Sequence, residues 1–76
     1  MKGEVKMKNI MKSKIKFVRT FAAWNSEWYD VVYESGRICG GVLDDAPRTV
    51  KNFIVTAKSK REQYDKVYKR TETIYE

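Results

Sequence analysis

The chain of 76 residues contains no histidine, a single cysteine (Cys39) and a single proline. It therefore lacks the commonest general base at neutral pH, and it cannot form an intramolecular disulfide, a Cys/His nucleophile or a cysteine–histidine zinc cluster. One free thiol is typical of a reducing compartment, and no apolar run reaches the ~18 residues of a membrane span. We expect a cytoplasmic protein that is not an enzyme, binds no metal or cofactor and contacts no membrane.

The composition predicts a folded chain, because 42% of the residues are hydrophobic and 13% are aromatic. We expect one small domain over residues 13–76, preceded by a basic, flexible segment over residues 1–12. The opening residues, MKGEVKM, could be the translation of a purine-rich ribosome-binding sequence placed before an ATG codon. We therefore hypothesise that natural synthesis starts at Met7 or Met11.

Three segments have the residue pattern of β-strands, over residues 14–24, 28–34 and 37–43. The sequence between the first two, Asn25 to Glu27, predicts a turn. Ser35-Gly36 predicts a two-residue hairpin turn, since glycine readily adopts the positive φ that such turns need. That turn sets a register with the opposed pairs Glu34–Arg37, Tyr33–Ile38, Val31–Gly40 and Tyr29–Val42.

Residues 49–57 allow two interpretations. The spacing of Val50, Phe53 and Ile54 is helical, whereas the density of β-branched and aromatic residues favours a strand. Ser59 and Glu62 have the spacing of a capping box, which would start a helix at Ser59 and leave the preceding residues outside it. We therefore predict that residues 49–57 form a fourth strand.

The last segment shows an apolar repeat at helical spacing, formed by Tyr64, Val67, Tyr68, Thr71, Ile74 and Tyr75. It predicts an amphipathic helix over about 60–75. The expected fold is α+β: a four-stranded antiparallel sheet (about 14–24, 28–34, 37–43 and 49–57) followed by one C-terminal amphipathic helix (about 60–75) packed on one face.

The net charge of +6 is uneven, because two basic blocks flank a mildly acidic middle. Lys58, Lys60 and Arg61 surround the predicted helix start, where the helix dipole disfavours cations but where a phosphate would bind well. The first predicted function is therefore binding of DNA or RNA through phosphates, with little sequence specificity. The predicted contact residues are Lys58, Ser59, Lys60, Arg61, Arg48, Lys51, Lys12, Lys14 and Lys16.

Two alternatives remain open from the sequence. The charged residues are also what the solvated face of an amphipathic helix presents, without any binding function. Trp24 and Trp28 bracket the first turn, where an exposed indole anchors protein partners well. The second predicted function is a protein-binding module, such as a small phage- or mobile-element-encoded inhibitor of a host protein, that uses these tryptophans and an exposed strand edge. The sequence does not determine the oligomeric state.

Overall fold

The computed structural model describes residues 14–76. The predicted flexible segment over residues 1–12, the candidate contact Lys12 and the possible start sites Met7 and Met11 lie outside the described residues. Within the described part, five strands form one antiparallel sheet: β1 (Ile15–Ala23), β2 (Ser26–Tyr33), β3 (Ile38–Val42), β4 (Lys60–Asp65) and β5 (Arg70–Tyr75). A short 3-10 turn (Leu43–Asp45) and helix α1 (Arg48–Thr56) connect β3 to β4.

The spatial order of the strands is β3-β2-β1-β5-β4, so β3 and β4 are the edges and β1 is central. The class is α+β, but the predicted arrangement of four strands followed by a C-terminal helix is wrong. The sheet has five strands, and the helix lies between β3 and β4. None of the helical segments in residues 14–76 is long and apolar enough to cross a membrane.

Residues 49–56 belong to helix α1 and Ala57 follows its end, so the predicted fourth strand over residues 49–57 is wrong. Pro47 directly precedes α1, and its fixed φ suits the start of a helix. Val50 is only 1% exposed, and Phe53 and Ile54 pack against the same core. The segment is helical because burial of its apolar stripe against the sheet stabilises the helix. This gain exceeds the few tenths of a kcal/mol per residue by which β-branched side chains disfavour helix.

Residues 60–75 form the β4–β5 hairpin instead of the predicted C-terminal helix. The Asp65 carboxylate accepts hydrogen bonds from the backbone N–H groups of Val67 (3.0 Å) and Tyr68 (3.2 Å), which turns the chain back on itself. Ser59 caps no helix, because its backbone N–H and carbonyl both bond to Glu76. Tyr64, Val67 and Tyr68 are exposed, whereas Ile74 is buried and Tyr75 packs against the core, so the residues of the apolar repeat do not share one buried face.

The β2–β3 hairpin is present, but its register differs by one residue from the prediction. The Tyr33 N–H bonds to the Arg37 carbonyl, and Gly36 has φ +95°. The loop therefore contains three residues, a turn followed by a left-handed glycine, instead of the predicted two. The observed pairs are Val32–Ile38, Val31–Cys39, Asp30–Gly40, Tyr29–Gly41 and Trp28–Val42.

This register decides which side chains lie on each side of the sheet. On the side that α1 covers, here called the helix face, Val18 and Val31 are fully buried with Val50 of the helix. Cys39 is half-buried against this core, as a small hydrophobic side chain would be. The opposite side, here called the open face, carries the alternate residues of each strand, including Arg19, Phe21, Trp28, Asp30, Glu72 and Ile74.

Candidate functional site

The strand order gathers cations at one end of the sheet, here called the basic end. At this end β1, β3 and β4 begin and β2 and β5 finish. Six exposed cations from three separate segments lie there: Lys14, Lys16, Arg37, Lys58, Lys60 and Arg61. The acidic residues at or next to the same end are Glu34, Glu62 and Glu76, so positive charge predominates.

Backbone contacts fix the part of the basic end that precedes β4. The N–H groups of Lys58 and Ser59 both donate to the Glu76 carbonyl, at 3.0 and 3.1 Å. Lys60 then lies opposite Tyr75 in the first pair of the β4–β5 ladder, and Arg61 forms an ion pair with the Glu76 carboxylate. Five of the six cations, all except Arg61, form no ion pair with any other residue of 14–76.

The structure brings together six of the predicted contacts but separates two others from them. The six that share the basic end are Lys14, Lys16, Lys58, Ser59, Lys60 and Arg61. Arg37 also lies there, although it was not among the predicted contacts. Arg48 and Lys51 lie in the first half of α1, which follows the acidic turn at the other end of the sheet. The Lys51 ammonium donates to the Asp44 backbone carbonyl at 3.0 Å, so it already serves the local structure.

The opposite end of the sheet contains the β1–β2 turn with both tryptophans. Trp24 and Asn25 form the turn with φ of +49° and +62°, the conformation of a type I′ hairpin turn. Trp24 is 85% exposed, whereas Trp28 is half-buried and donates its indole N–H to the Ala23 carbonyl at 2.8 Å. The two indoles meet edge to face, with their centroids 5.9 Å apart.

The β4–β5 turn lies beside this turn, because β5 pairs with β1 in antiparallel fashion. Between the two turns is a cleft of about 610 Å³, here called the aromatic cleft, lined chiefly by Phe21, Trp24, Trp28, Tyr68, Lys69 and Arg70. The Arg70 guanidinium lies 3.9 Å from the centre of the Phe21 ring and 5.0 Å from that of Tyr68. The sequence predicted only the two tryptophans here, since residues 60–75 were expected to form a helix.

A ladder of alternating charges crosses the open face next to the aromatic cleft. It runs Asp30–Arg19–Glu72–Arg70–Asp65 through four neighbouring strands, with N–O distances of 3.3 Å for Arg19–Glu72 and 3.8 Å for each Arg70 pair. The hydrogen bond to Asp30 raises the pKa of Arg19, and burial opposes this rise. Every member is matched by an opposite charge, so the ladder serves primarily to hold the strands together.

Among residues 14–76, no group of three acidic, cysteine or histidine side chains is arranged to hold a metal ion. No protein-family model matches the chain, and no curated protein or solved structure is significantly similar to it. The arrangement of the side chains is therefore the basis for a functional proposal.

Proposed function

We propose that the protein binds nucleic acid through its basic end, by contacts to phosphate groups and with little sequence specificity. The observation that carries the proposal is that five exposed cations from separate parts of the chain converge there. None of the five forms an ion pair with an acidic residue of 14–76. Free lysine and arginine side chains on one surface attract a phosphate backbone from any direction and release its counterions on binding.

No helix starts at Ser59, so the predicted phosphate site at a helix N-terminus does not exist. The phosphate contacts are instead assigned to Lys14 and Lys16 at the start of β1 and to Lys58 and Lys60 at the start of β4, which lie at the same end of the sheet. Residues 1–13 join the domain at this same end and add four lysines against one glutamate. A nucleic-acid partner and a single free thiol both fit the cytoplasm, which we propose as the compartment.

The test compares two double variants that remove the same charge from opposite ends of the sheet. Lys58→Gln/Lys60→Gln alters the basic end, and Arg48→Gln/Lys51→Gln alters the start of α1. The slope of log affinity against log salt should fall by roughly 1.5 units in the first variant, at ~0.7–0.9 per phosphate contact, and stay almost unchanged in the second.

Each outcome has a definite meaning for the basic end. Equal losses in the two variants would mean that total charge matters and that the basic end is not a site. The proposal fails altogether if the wild-type protein binds neither DNA nor RNA at low ionic strength, where the attraction is strongest.

A different observation favours a second candidate function, a protein-binding module of the kind that phages and mobile elements encode. Trp24 is exposed in the free protein, and β3 is an edge strand whose Ile38 is 63% exposed. An extended segment of a host protein could pair with this edge. Capture of one host protein from nuclease-treated lysate, lost on Trp24→Asn, would support this candidate; capture that disappears with nuclease would contradict it.

A further inference from the structure

We propose that the aromatic cleft stacks the bases of single-stranded nucleic acid, and this inference rests on the proposed function. The cleft is open to solvent, and its walls combine four aromatic rings with two cations. Aromatic faces and cations together fit a nucleic-acid strand, because every base offers a π-face for stacking and every phosphate a negative charge.

Tryptophan at position 24 is unfavourable for the stability of the fold. Its φ of +49° lies in the left-handed region, where glycine, asparagine and aspartate are favoured in type I′ turns. Its side chain is 85% exposed and so contributes little to the core. A large, strained and exposed ring at the tip of a hairpin is best explained by a ligand that covers it.

Hydrogen bonds fix the ring of Trp28 and the backbone that carries Tyr68. The indole N–H of Trp28 is bonded to the Ala23 carbonyl, which fixes its ring edge-on to Trp24. Tyr68, 69% exposed, is presented by the turn that Asp65 caps with two backbone hydrogen bonds. Stacking on rings that are already ordered loses little conformational entropy when a base binds.

Arg70 supplies unused hydrogen-bond donors at the wall of the cleft. Its ion-pair distances to Asp65 and Glu72 are both 3.8 Å, too long for hydrogen bonds. Its Nε is buried and out of a ligand's reach, so the donors that remain are the two terminal amino groups of a side chain that is 24% exposed and lines the cleft. The carbonyl oxygens and ring nitrogens of a base would satisfy such donors, whereas an apolar peptide side chain would leave them unpaired.

The cleft and the basic end lie at opposite ends of β1, about 25–30 Å apart at ~3.3 Å per residue. A single strand can reach both, since small single-strand-binding folds occupy about 4–16 nucleotides. A duplex cannot use the cleft in this way, because its bases are stacked within the helix. The proposal therefore requires that single strands bind more tightly than duplexes of equal length.

The experiment measures fluorescence anisotropy with three probes: an oligothymidylate of about 15 nucleotides, an abasic strand of equal charge, and a duplex of equal length. Trp24→Asn should weaken oligothymidylate binding by roughly 5- to 150-fold, the loss expected for one stacked base, and leave the abasic strand unaffected. Trp24→Phe should keep most of the affinity. Tyr64→Ala is the matched control, since it removes an exposed aromatic ring of β4 outside the cleft.

Trp24→Asn should fold at least as stably as the wild type, because asparagine suits the turn, and its melting temperature checks this. Normal oligothymidylate binding by a folded Trp24→Asn would overturn the stacking site while leaving the basic-end proposal intact. The stacking site would also be overturned if Trp24→Asn weakened binding of the oligothymidylate and the abasic strand equally. The same holds if Trp24→Asn bound the oligothymidylate normally but no longer captured a host protein. Failure of the wild type to bind any of the three probes would overturn both proposals.

Discussion

Val18 and Arg19 are neighbours in β1, yet they lie on the two different faces of the sheet. On the helix face, Val18 is fully buried with Val31 and Val50, and each such side chain contributes about 1.5–3 kcal/mol by leaving water. On the open face, Arg19 is held between the carboxylates of Asp30 and Glu72. One face is stabilised by apolar packing and the other by paired charges.

The difference has a structural reason. Helix α1 is only nine residues long, and its apolar residues pack on the core formed by β1, β2 and β3. The β4–β5 hairpin lies at the side of that core: it pairs with the rest of the sheet through β1, and Tyr75 of β5 packs against the core. The ion-pair ladder, which crosses from β1 to β5 at Arg19–Glu72, therefore takes part of the role that a second helix would have. The four predictions below test this contrast, from the largest expected effect to the smallest.

A charge placed in the helix-face core should prevent folding. Val50→Asp puts an unpaired carboxylate at a side chain that is 1% exposed, which should cost more than about 4 kcal/mol. Val55→Asp is the control on the same helix, because Val55 is 82% exposed, and it should change stability by less than about 0.5 kcal/mol. Circular dichroism and urea unfolding measure both. Similar stabilities for the two variants would show that α1 does not cover this face.

Removal of one charge from the ladder should weaken the open face. Glu72 is 7% exposed and lies between two guanidinium groups, so Glu72→Gln removes the carboxylate between Arg19 and Arg70 and leaves each with one remaining acidic partner, Asp30 or Asp65. We expect a loss of about 2–4 kcal/mol in the free energy of unfolding, somewhat less than for a fully buried pair. The exposed Glu62 on β4 provides the control, Glu62→Gln, which should be nearly neutral. A neutral Glu72→Gln would mean that the ladder contributes nothing to stability.

The same contrast explains which parts of the fold the sequence predicts. β1 to β3 were identified because alternating side chains and the Gly36 turn follow directly from burial of one face. The one-residue error in register arose because Ser35-Gly36 fits both a two-residue and a three-residue loop. For α1, the helical spacing of its apolar residues was the better guide, and their strand propensity was misleading.

The β4–β5 hairpin could not be predicted in the same way. β4 is an exposed edge strand, so no core imposes a period-two pattern on it, and its lysine, arginine, glutamate and glutamine favour helix locally. The deciding contacts are between β5 and β1, which are more than 50 residues apart in the chain. For the same reason the sequence identified Lys58 and Lys60 as neighbours but did not predict the aromatic cleft, which depends on this pairing.

The two adjacent glycines of β3 should respond in opposite directions, because they point to different faces. A Cβ at Gly40 would lie 2.7 Å from the Tyr29 carbonyl and would also collide with the Asp30 carboxylate of the ladder. Gly40→Ala should therefore cost about 1–3 kcal/mol. A Cβ at Gly41 would make an ordinary contact of 3.7 Å with the Tyr29 ring, so Gly41→Ala should stabilise the strand by up to about 1 kcal/mol. Equal effects in thermal unfolding would contradict the observed register.

The smallest effect concerns Tyr29, which is buried on the helix face. Burial raises the pKa of its phenol above the ordinary value of about 10, with minor contributions from Cys39, Tyr33 and Asp30. Above that pH the unfolded chain loses the proton first, so the native state binds more protons and its stability falls as pH rises through the folded pKa. Tyr29→Phe removes this proton from both states. Between about pH 9 and 11 the free energy of unfolding should fall less steeply in Tyr29→Phe, by at most about 1.4 kcal/mol per pH unit. Urea unfolding at three pH values measures the two slopes, and identical slopes would mean that the Tyr29 hydroxyl is exposed to water in the native state.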